Sequence, residues 1–334
     1  MTSQNDYSNA SSNKRLHLIV NATEKCNFRC VYCYEDFALG RMKPVVAGAI
    51  VKLVRRRVAA GLQQLELAFF GGEPLAAWSI VRDLAENLSA ICAAGGVSFI
   101  SHVTTNGALL DSERLAFLVA HGVNEFQITL DGPEVIHDQR RVLRSGKGTF
   151  QAVMAAFEAI RQSGLPTRTI IRQHFAPDTL DALVVSGHVT ALARRFLTGD
   201  TRFFLYFYPL GHWGGPNDGS FPVFSDPGER RAAIDRLVAA ALAGGCDRRQ
   251  LITEPPDICY AAAANSFVIR PDGRVAKCTI AFEDDRNCVG VIEPNGDLVI
   301  DRSRFLPWVE GLVDGEADKL ACPRRHVVVA SGAG

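Results

Sequence analysis

Three cysteines lie within eight residues, Cys26-Asn27-Phe28-Arg29-Cys30-Val31-Tyr32-Cys33, and no fourth follows closely. A cubic 4Fe-4S cluster normally takes four thiolates, so a tight triplet points to a cluster with one iron left for an exchangeable ligand. A structural zinc site would want closed four-fold ligation from two paired half-sites. The chain has nine cysteines in 334 residues. In a reducing compartment these read as metal ligands or a nucleophile before they read as disulfides. No Ser/His/Asp or His-Glu metal motif stands out, and His137, His174 and His212 are scattered, reading as loop or core histidines.

The elements that must position the triplet follow from periodicity. Apolar runs with strand character, Leu16–Ala22, Leu65–Phe70, Val97–Thr105, Glu125–Leu130, Thr167–His174 and Arg202–Tyr208, alternate with segments of helical period. The predicted helices are Val45–Ala60, Ser79–Ala94, Ser112–His121, Thr149–Gln162, Asp178–Arg195 and Pro227–Ala243, several opened by a Ser, Thr or Asp cap. Six βα units predict an α/β fold with a parallel sheet, either doubly wound or a full or partial barrel. In either topology the chemistry belongs at the carboxyl ends of the strands. There lie the cysteine loop, Gly71-Gly72-Glu73-Pro74, Thr104-Thr105-Asn106-Gly107 and Asp131-Gly132-Pro133. A composition of 47% hydrophobic and 22% charged residues with zero formal net charge predicts a soluble globular protein. Balanced charge argues against a nucleic-acid surface. With no membrane-length apolar run and a polar N-terminus, a cytoplasmic location is expected.

The cysteine triplet with Tyr32 before its third member, followed about 40 residues later by Gly71-Gly72-Glu73-Pro74 at a strand end, resembles the radical S-adenosylmethionine (SAM) superfamily over roughly Leu16 to Leu210. The resemblance implies a partial (β/α)6 TIM-like barrel. It also implies a 4Fe-4S cluster on Cys26, Cys30 and Cys33, with SAM chelating the fourth iron and yielding a 5′-deoxyadenosyl radical on one-electron reduction. Gly71, Gly72 and Glu73, with Pro74 closing the loop, would receive the methionyl ammonium, and Tyr32 would lie near the adenine. Asn106, Gln127 and Thr129 would face the ribose, and Arg141, or Arg140 in its place, would meet the SAM carboxylate.

Beyond Leu210, the Gly-rich run 211–219 reads as a loop at the barrel mouth. Cys259, Gly273 and Cys278 around the hairpin Asn265–Gly273 resemble the opening of the SPASM extension, which carries auxiliary clusters in peptide-modifying radical SAM enzymes. Counting on from Cys322, the next ligand positions hold Arg325 and Ser331, and a fourth falls past residue 334. Cys259, Cys278, Cys288 and Cys322 are therefore candidate ligands of at most one auxiliary cluster, in a half-domain, a degenerate domain or an altered end. Cys288 is also a candidate hydrogen donor, and Cys92 and Cys246 read as structural. The expected domains are a disordered tail (1–14), the barrel (15–215), a helical linker (216–255) and a SPASM/twitch-like module (256–334).

The resemblance implies a peptide or protein substrate, with crosslink formation first in a maturation pathway and epimerisation or formylglycine formation as alternatives. Chemistry on a small molecule and a noncatalytic redox sensor are further alternatives. The catalytic repeat begins by about Leu16, so any leader peptide is expected to be held by a separate recognition protein, or by the barrel mouth and the C-terminal module. An electron donor such as flavodoxin or ferredoxin is implied as well, and neither a nucleic acid nor a membrane is an expected partner.

Overall fold

The computed structural model describes residues 4–328, so Ser331, one of the ligand positions considered above, lies outside the described residues. Eight of the described strands run parallel in one sheet. They are β1 (Arg15–Thr23), β2 (Gln64–Gly71), β3 (Ser98–Thr105), β4 (Val123–Leu130), β5 (Arg168–Phe175), β6 (Phe203–Pro209), β7 (Leu251–Ile252) and β8 (Ser266–Ile269). Their order is β8-β1-β2-β3-β4-β5-β6-β7. Antiparallel β9 (Arg274–Ala276), β10 (Cys288–Ile292) and β11 (Leu298–Ile300) extend the sheet beyond β8. The six predicted strands are β1 to β6, and the sheet is open between β7 and β11 among the described residues.

Alternation along each strand divides the core from the site. On β2, Leu65, Leu67 and Phe69 are fully buried in the main apolar core, whereas Ala68 and Phe70 line an interior cavity. The helices close the outer face with matching stripes. One covers Trp78–Ala94, where Ile80, Val81, Leu84, Ala85, Leu88 and Cys92 are buried at helical spacing. Cys92 is thus a core residue, as expected, and buried Cys246 bonds the Ala241 carbonyl. Local signals set the helix starts: Asp111 accepts from the Arg114 amide, Asp226 from the Glu229 amide, and Pro44 stands at the first turn of Pro44–Ala59.

Four expectations need correction. Residues Gln4–Ser11 form a helix rather than a disordered tail. It is docked because the Asn265 side-chain amide donates to the carbonyls of Asn9 and Ser12 and the Ala264 amide donates to Ala10. The segment 178–195 is broken into Leu180–Val185 and His188–Leu192, since Gly187 takes a left-handed conformation (φ 76°) between them. The linker is not purely helical, because it supplies β7, which pairs with β6. The C-terminal module, expected as a second unit after the barrel, joins the barrel's own sheet: β8 pairs with β1 in parallel, His17 opposite Ser266 and Val20 opposite Ile269. Short strands at the end of a hairpin pattern carry no sequence mark of a distant partner, so this pairing was not legible.

Candidate active site

The cysteine loop leaves β1 and is held on three sides. The Gly72 amide donates to the Thr23 carbonyl at 3.0 Å and the Glu73 amide to the Lys25 carbonyl at 3.1 Å. A Cβ on Gly72 would lie 2.5 Å from the Lys25 oxygen, and one on Gly71, at φ 111°, 2.4 Å from the Thr23 oxygen. The two glycines therefore allow backbone contact that any side chain would prevent. Phe28–Cys30 pairs antiparallel with Arg141–Leu143, which sets Cys30 opposite Arg141. The 211–219 loop touches the cysteine loop too: a Cβ on Gly215 would meet the Cys33 carbonyl at 2.5 Å. At the other end of the loop Glu24, fully buried, receives a two-bond fork from Arg270 (2.8 and 2.9 Å), tying the loop to the C-terminal module.

Cys26, Cys30 and Cys33 line one cavity of about 370 Å³, together with Gly71, Gly72 and Arg141. Burial, then the Glu73 charge, pushes the Cys26 thiol up to about 12. Burial, then Cys30, does the same for Cys33, and burial raises Cys30 against the pull of Arg141. Only an added cation would make all three thiolates at neutral pH, so metal binding here releases protons. Among the described residues no three thiol sulfurs lie within 4.8 Å of one another. Thiolates on one zinc ion would be about 3.8 Å apart at its usual bond length.

Beside the triplet lies a buried polar network. Arg141 donates to the Tyr32 hydroxyl (2.7 Å), which donates to Asp131 (2.9 Å). His174 edges onto the Tyr32 ring at 5.0 Å, and its Nδ1 stands 3.5 Å from Asp131, beyond a good hydrogen bond. Burial pulls His174 down to about 4, so it is neutral at pH 7. Burial also opposes ionisation of Asp131, but His174 and Arg141 outweigh it and hold that carboxyl well below its usual range. The Nε of Arg141 is buried without a partner. That unspent donor beside three free thiols and a glycine cradle fits a cluster with a carboxylate-bearing ligand.

The expected residues separate cleanly. Tyr32, Gly71, Gly72, Asn106, Gln127, Thr129 and Arg141 line the cavity. Glu73 does not: its buried carboxylate accepts from the Leu75 amide (2.9 Å), the Thr105 hydroxyl (2.7 Å) and the Asn106 amide (2.7 Å). It braces two strand-end loops instead of facing a ligand. Pro74 is buried at the start of a 3-10 turn, and Arg140 turns away to pair with Asp178 at 2.6 Å. Among the wall residues that escaped the sequence reading are Arg172, stacked 3.6 Å over Tyr208 with its Nε unpartnered, and Glu35, pushed by burial up to about 8. Nothing in their spacing marked them.

In the C-terminal module burial raises the Cys259 and Cys278 thiols, Cys259 to about 11, and Cys322 is near enough to both to add to the rise. The Cys259 amide bonds the Leu320 carbonyl at 2.9 Å, which brings the last of them in. Cys288 lies on β10 with its sulfur toward the Gly290 carbonyl (3.8 Å) and is not among the residues lining the cavity. The module still reaches the cavity, through Tyr260, Thr279 and Ile280.

The family model of the radical SAM superfamily matches residues 20–177. A serine-type anaerobic sulfatase-maturating enzyme of Klebsiella aerogenes is 23% identical over 297 residues, covering 85% of this chain and 71% of that enzyme. A GTP 3',8-cyclase of Xanthomonas campestris is 29% identical over 189 residues, and the chain spans 53% of its length. Among solved structures, anSMEcpe with bound AdoMet aligns with TM-score 0.67 at 20% identity, covering 87% of this chain and 80% of that one. Streptococcus suis SuiB bound to its precursor peptide SuiA aligns with TM-score 0.64 at 12% identity, covering 90% and 67%. At these identities the solved structures establish the fold.

Proposed function

We propose that this chain, a radical SAM enzyme whose family domain occupies residues 20–177, modifies a side chain of a peptide or protein. The carrying observation is that one cavity joins the cysteine triplet to Tyr260, Thr279 and Ile280 of the C-terminal module. In this reading Cys26, Cys30 and Cys33 hold the 4Fe-4S cluster, and Gly71 and Gly72 offer backbone carbonyls to the SAM ammonium. Asn106, Gln127 and Thr129 face its ribose, and Arg141 presents its free Nε to the carboxylate. When both groups are bound, they supply one-electron cleavage of SAM and removal of a hydrogen atom from an unactivated carbon.

The protein's own share is positioning and exclusion of water. Tyr32 is fixed by Arg141 and Asp131, so it forms a rigid wall beside the triplet. Trp213, edge-on to Tyr32 at 6.4 Å, brings the 211–219 loop over the same opening. Cys259, Cys278 and Cys322 are the proposed ligands of one auxiliary cluster. An external protein would supply the electron, and a separate protein would present any leader peptide. Among the described residues no helix is long and apolar enough to cross a membrane.

Crosslink formation is the first reading. Oxidation of a serine or cysteine side chain is the second, favoured by the likeness to a sulfatase-maturating enzyme across 85% of this chain. The test is mass spectrometry of candidate precursor peptides, any short peptide encoded beside this chain first among them, after anaerobic incubation with the reduced, cluster-loaded enzyme and SAM. A crosslink removes two hydrogens and leaves no aldehyde; the same loss with hydrazine-reactive product indicates serine oxidation. A peptide unchanged in mass, and without deuterium uptake when the incubation is run in D2O, alongside consumed SAM would overturn the peptide assignment. Iron content separates the cluster number: about eight irons per chain for two clusters, about four for one.

A further inference from the structure

We propose that His17, Glu66 and His102 form a site for a single divalent metal ion of the zinc, cobalt(II) or iron(II) class, in the cavity wall and separate from both cysteine sets. The three residues come from neighbouring parallel strands. His17 on β1 pairs in register with Glu66 on β2, and His102 on β3 pairs with Ala68, two residues further on. All three therefore project from the same face of the sheet, and His17 and His102 line the cavity.

Their lone-pair atoms converge without bonding one another. His17 Nε2 lies 3.7 Å and His102 Nδ1 4.0 Å from the same oxygen, Glu66 Oε1, and all three atoms fall within 4.8 Å of one another. Those separations are too long for hydrogen bonds. The two distances to Glu66 are roughly 0.2–1 Å wider than the roughly 3–3.5 Å between ligands on one ion with bonds of about 2.1 Å, so the side chains must draw in on the ion. His17 Nε2 is buried without a hydrogen-bond partner. No lysine or arginine among the described residues forms an ion pair with Glu66, which faces the two imidazoles alone.

A second partner fixes the ring. His17 Nδ1 lies 3.0 Å from the Ser266 hydroxyl on β8. With the proton on Nδ1, the Nε2 lone pair points at Glu66, the arrangement by which outer hydrogen bonds orient metal-bound histidines. Two imidazole nitrogens and one carboxylate oxygen are a three-ligand set that leaves coordination positions open. An oxygen, nitrogen or sulfur donor of a substrate in the cavity would fill them.

The thiols of this chain also bind such ions, so the test uses the cluster-loaded protein with cobalt(II) as the probe. Cobalt is counted against iron by mass spectrometry after dialysis, and its surroundings are read by X-ray absorption. The expected result is one cobalt per chain with only nitrogen and oxygen neighbours. Glu66→Gln and His102→Asn should each weaken cobalt binding at least roughly tenfold, and Ser266→Ala by a comparable factor through the lost outer bond. Iron content and an unchanged denaturant unfolding midpoint report that each variant is folded. Absence of bound cobalt, sulfur in its first shell, or cobalt binding at the wild-type level by both ligand variants would overturn the proposal.

Discussion

Replacing Glu73 by glutamine separates a brace from a direct ligand contact. Three donors and no acceptor face its carboxylate: Oε1 takes the Leu75 amide and the Thr105 hydroxyl, Oε2 the Asn106 amide. Thr105 is the donor to Glu73 because a carboxylate can only accept, and its oxygen accepts in turn from the Gly107 amide at 3.1 Å. A glutamine oxygen can replace Oε1, but its NH2 would then oppose the Asn106 amide, leaving a buried donor unpaired. That costs about 1.5–3 kcal/mol, the range for a bond to a charged group. Burial raises the Glu73 pKa, so relief from burying a charge offsets part of this, and a net loss of about 1–3 kcal/mol is expected. The assay is denaturant unfolding of the SAM-free protein beside a SAM titration. Both stability and SAM affinity should fall, the second because Asn106 lines the cavity. Full stability with lost SAM binding would refute the brace and restore direct contact with the ligand.

Gly72→Ala should cost about 1–3 kcal/mol of overpacking, because the new Cβ meets the Lys25 and Glu24 carbonyls at 2.5 and 2.6 Å; reduced iron retention on reconstitution checks it. Arg270→Met leaves Glu24 buried and unpaired. It should lower stability by about 3–5 kcal/mol in denaturant unfolding, with iron loss from the loop that Glu24 begins. His188 is neutral in the folded protein, since burial lowers it to about 4 from 6.5. A depressed histidine favours the fold above the unfolded pKa, so its contribution, at most about 3 kcal/mol, is lost as pH falls from 6.5 toward 4. His188→Gln should flatten that part of the stability profile; an unchanged slope assigns the acid sensitivity elsewhere.

The six βα units and the strand-end loops were legible because parallel strands and their crossover helices each carry their own apolar period. The site was legible where residue type alone fixes the role: free thiols in Cys26, Cys30 and Cys33, and glycines at Gly71 and Gly72 where backbone meets backbone. It failed where role depends on direction. Glu73 and Arg140 have suitable chemistry, yet one is spent on internal donors and the other on Asp178. Asp131 stood in a loop already singled out, but its link to Arg141 through Tyr32 spans strands. The pairing of β8 with β1, which makes Glu24 and Arg270 partners 246 residues apart, has no local signature.

Cleavage of SAM at the N-terminal triplet is tested most directly by anaerobic reconstitution with iron and sulfide, reduction by dithionite, and quantitation of 5′-deoxyadenosine. The wild-type chain should form it, Cys288→Ala should form it equally, and Cys30→Ala should form none. Product from Cys30→Ala at the wild-type level, or none from a wild-type chain with its full iron complement, would contradict the assignment.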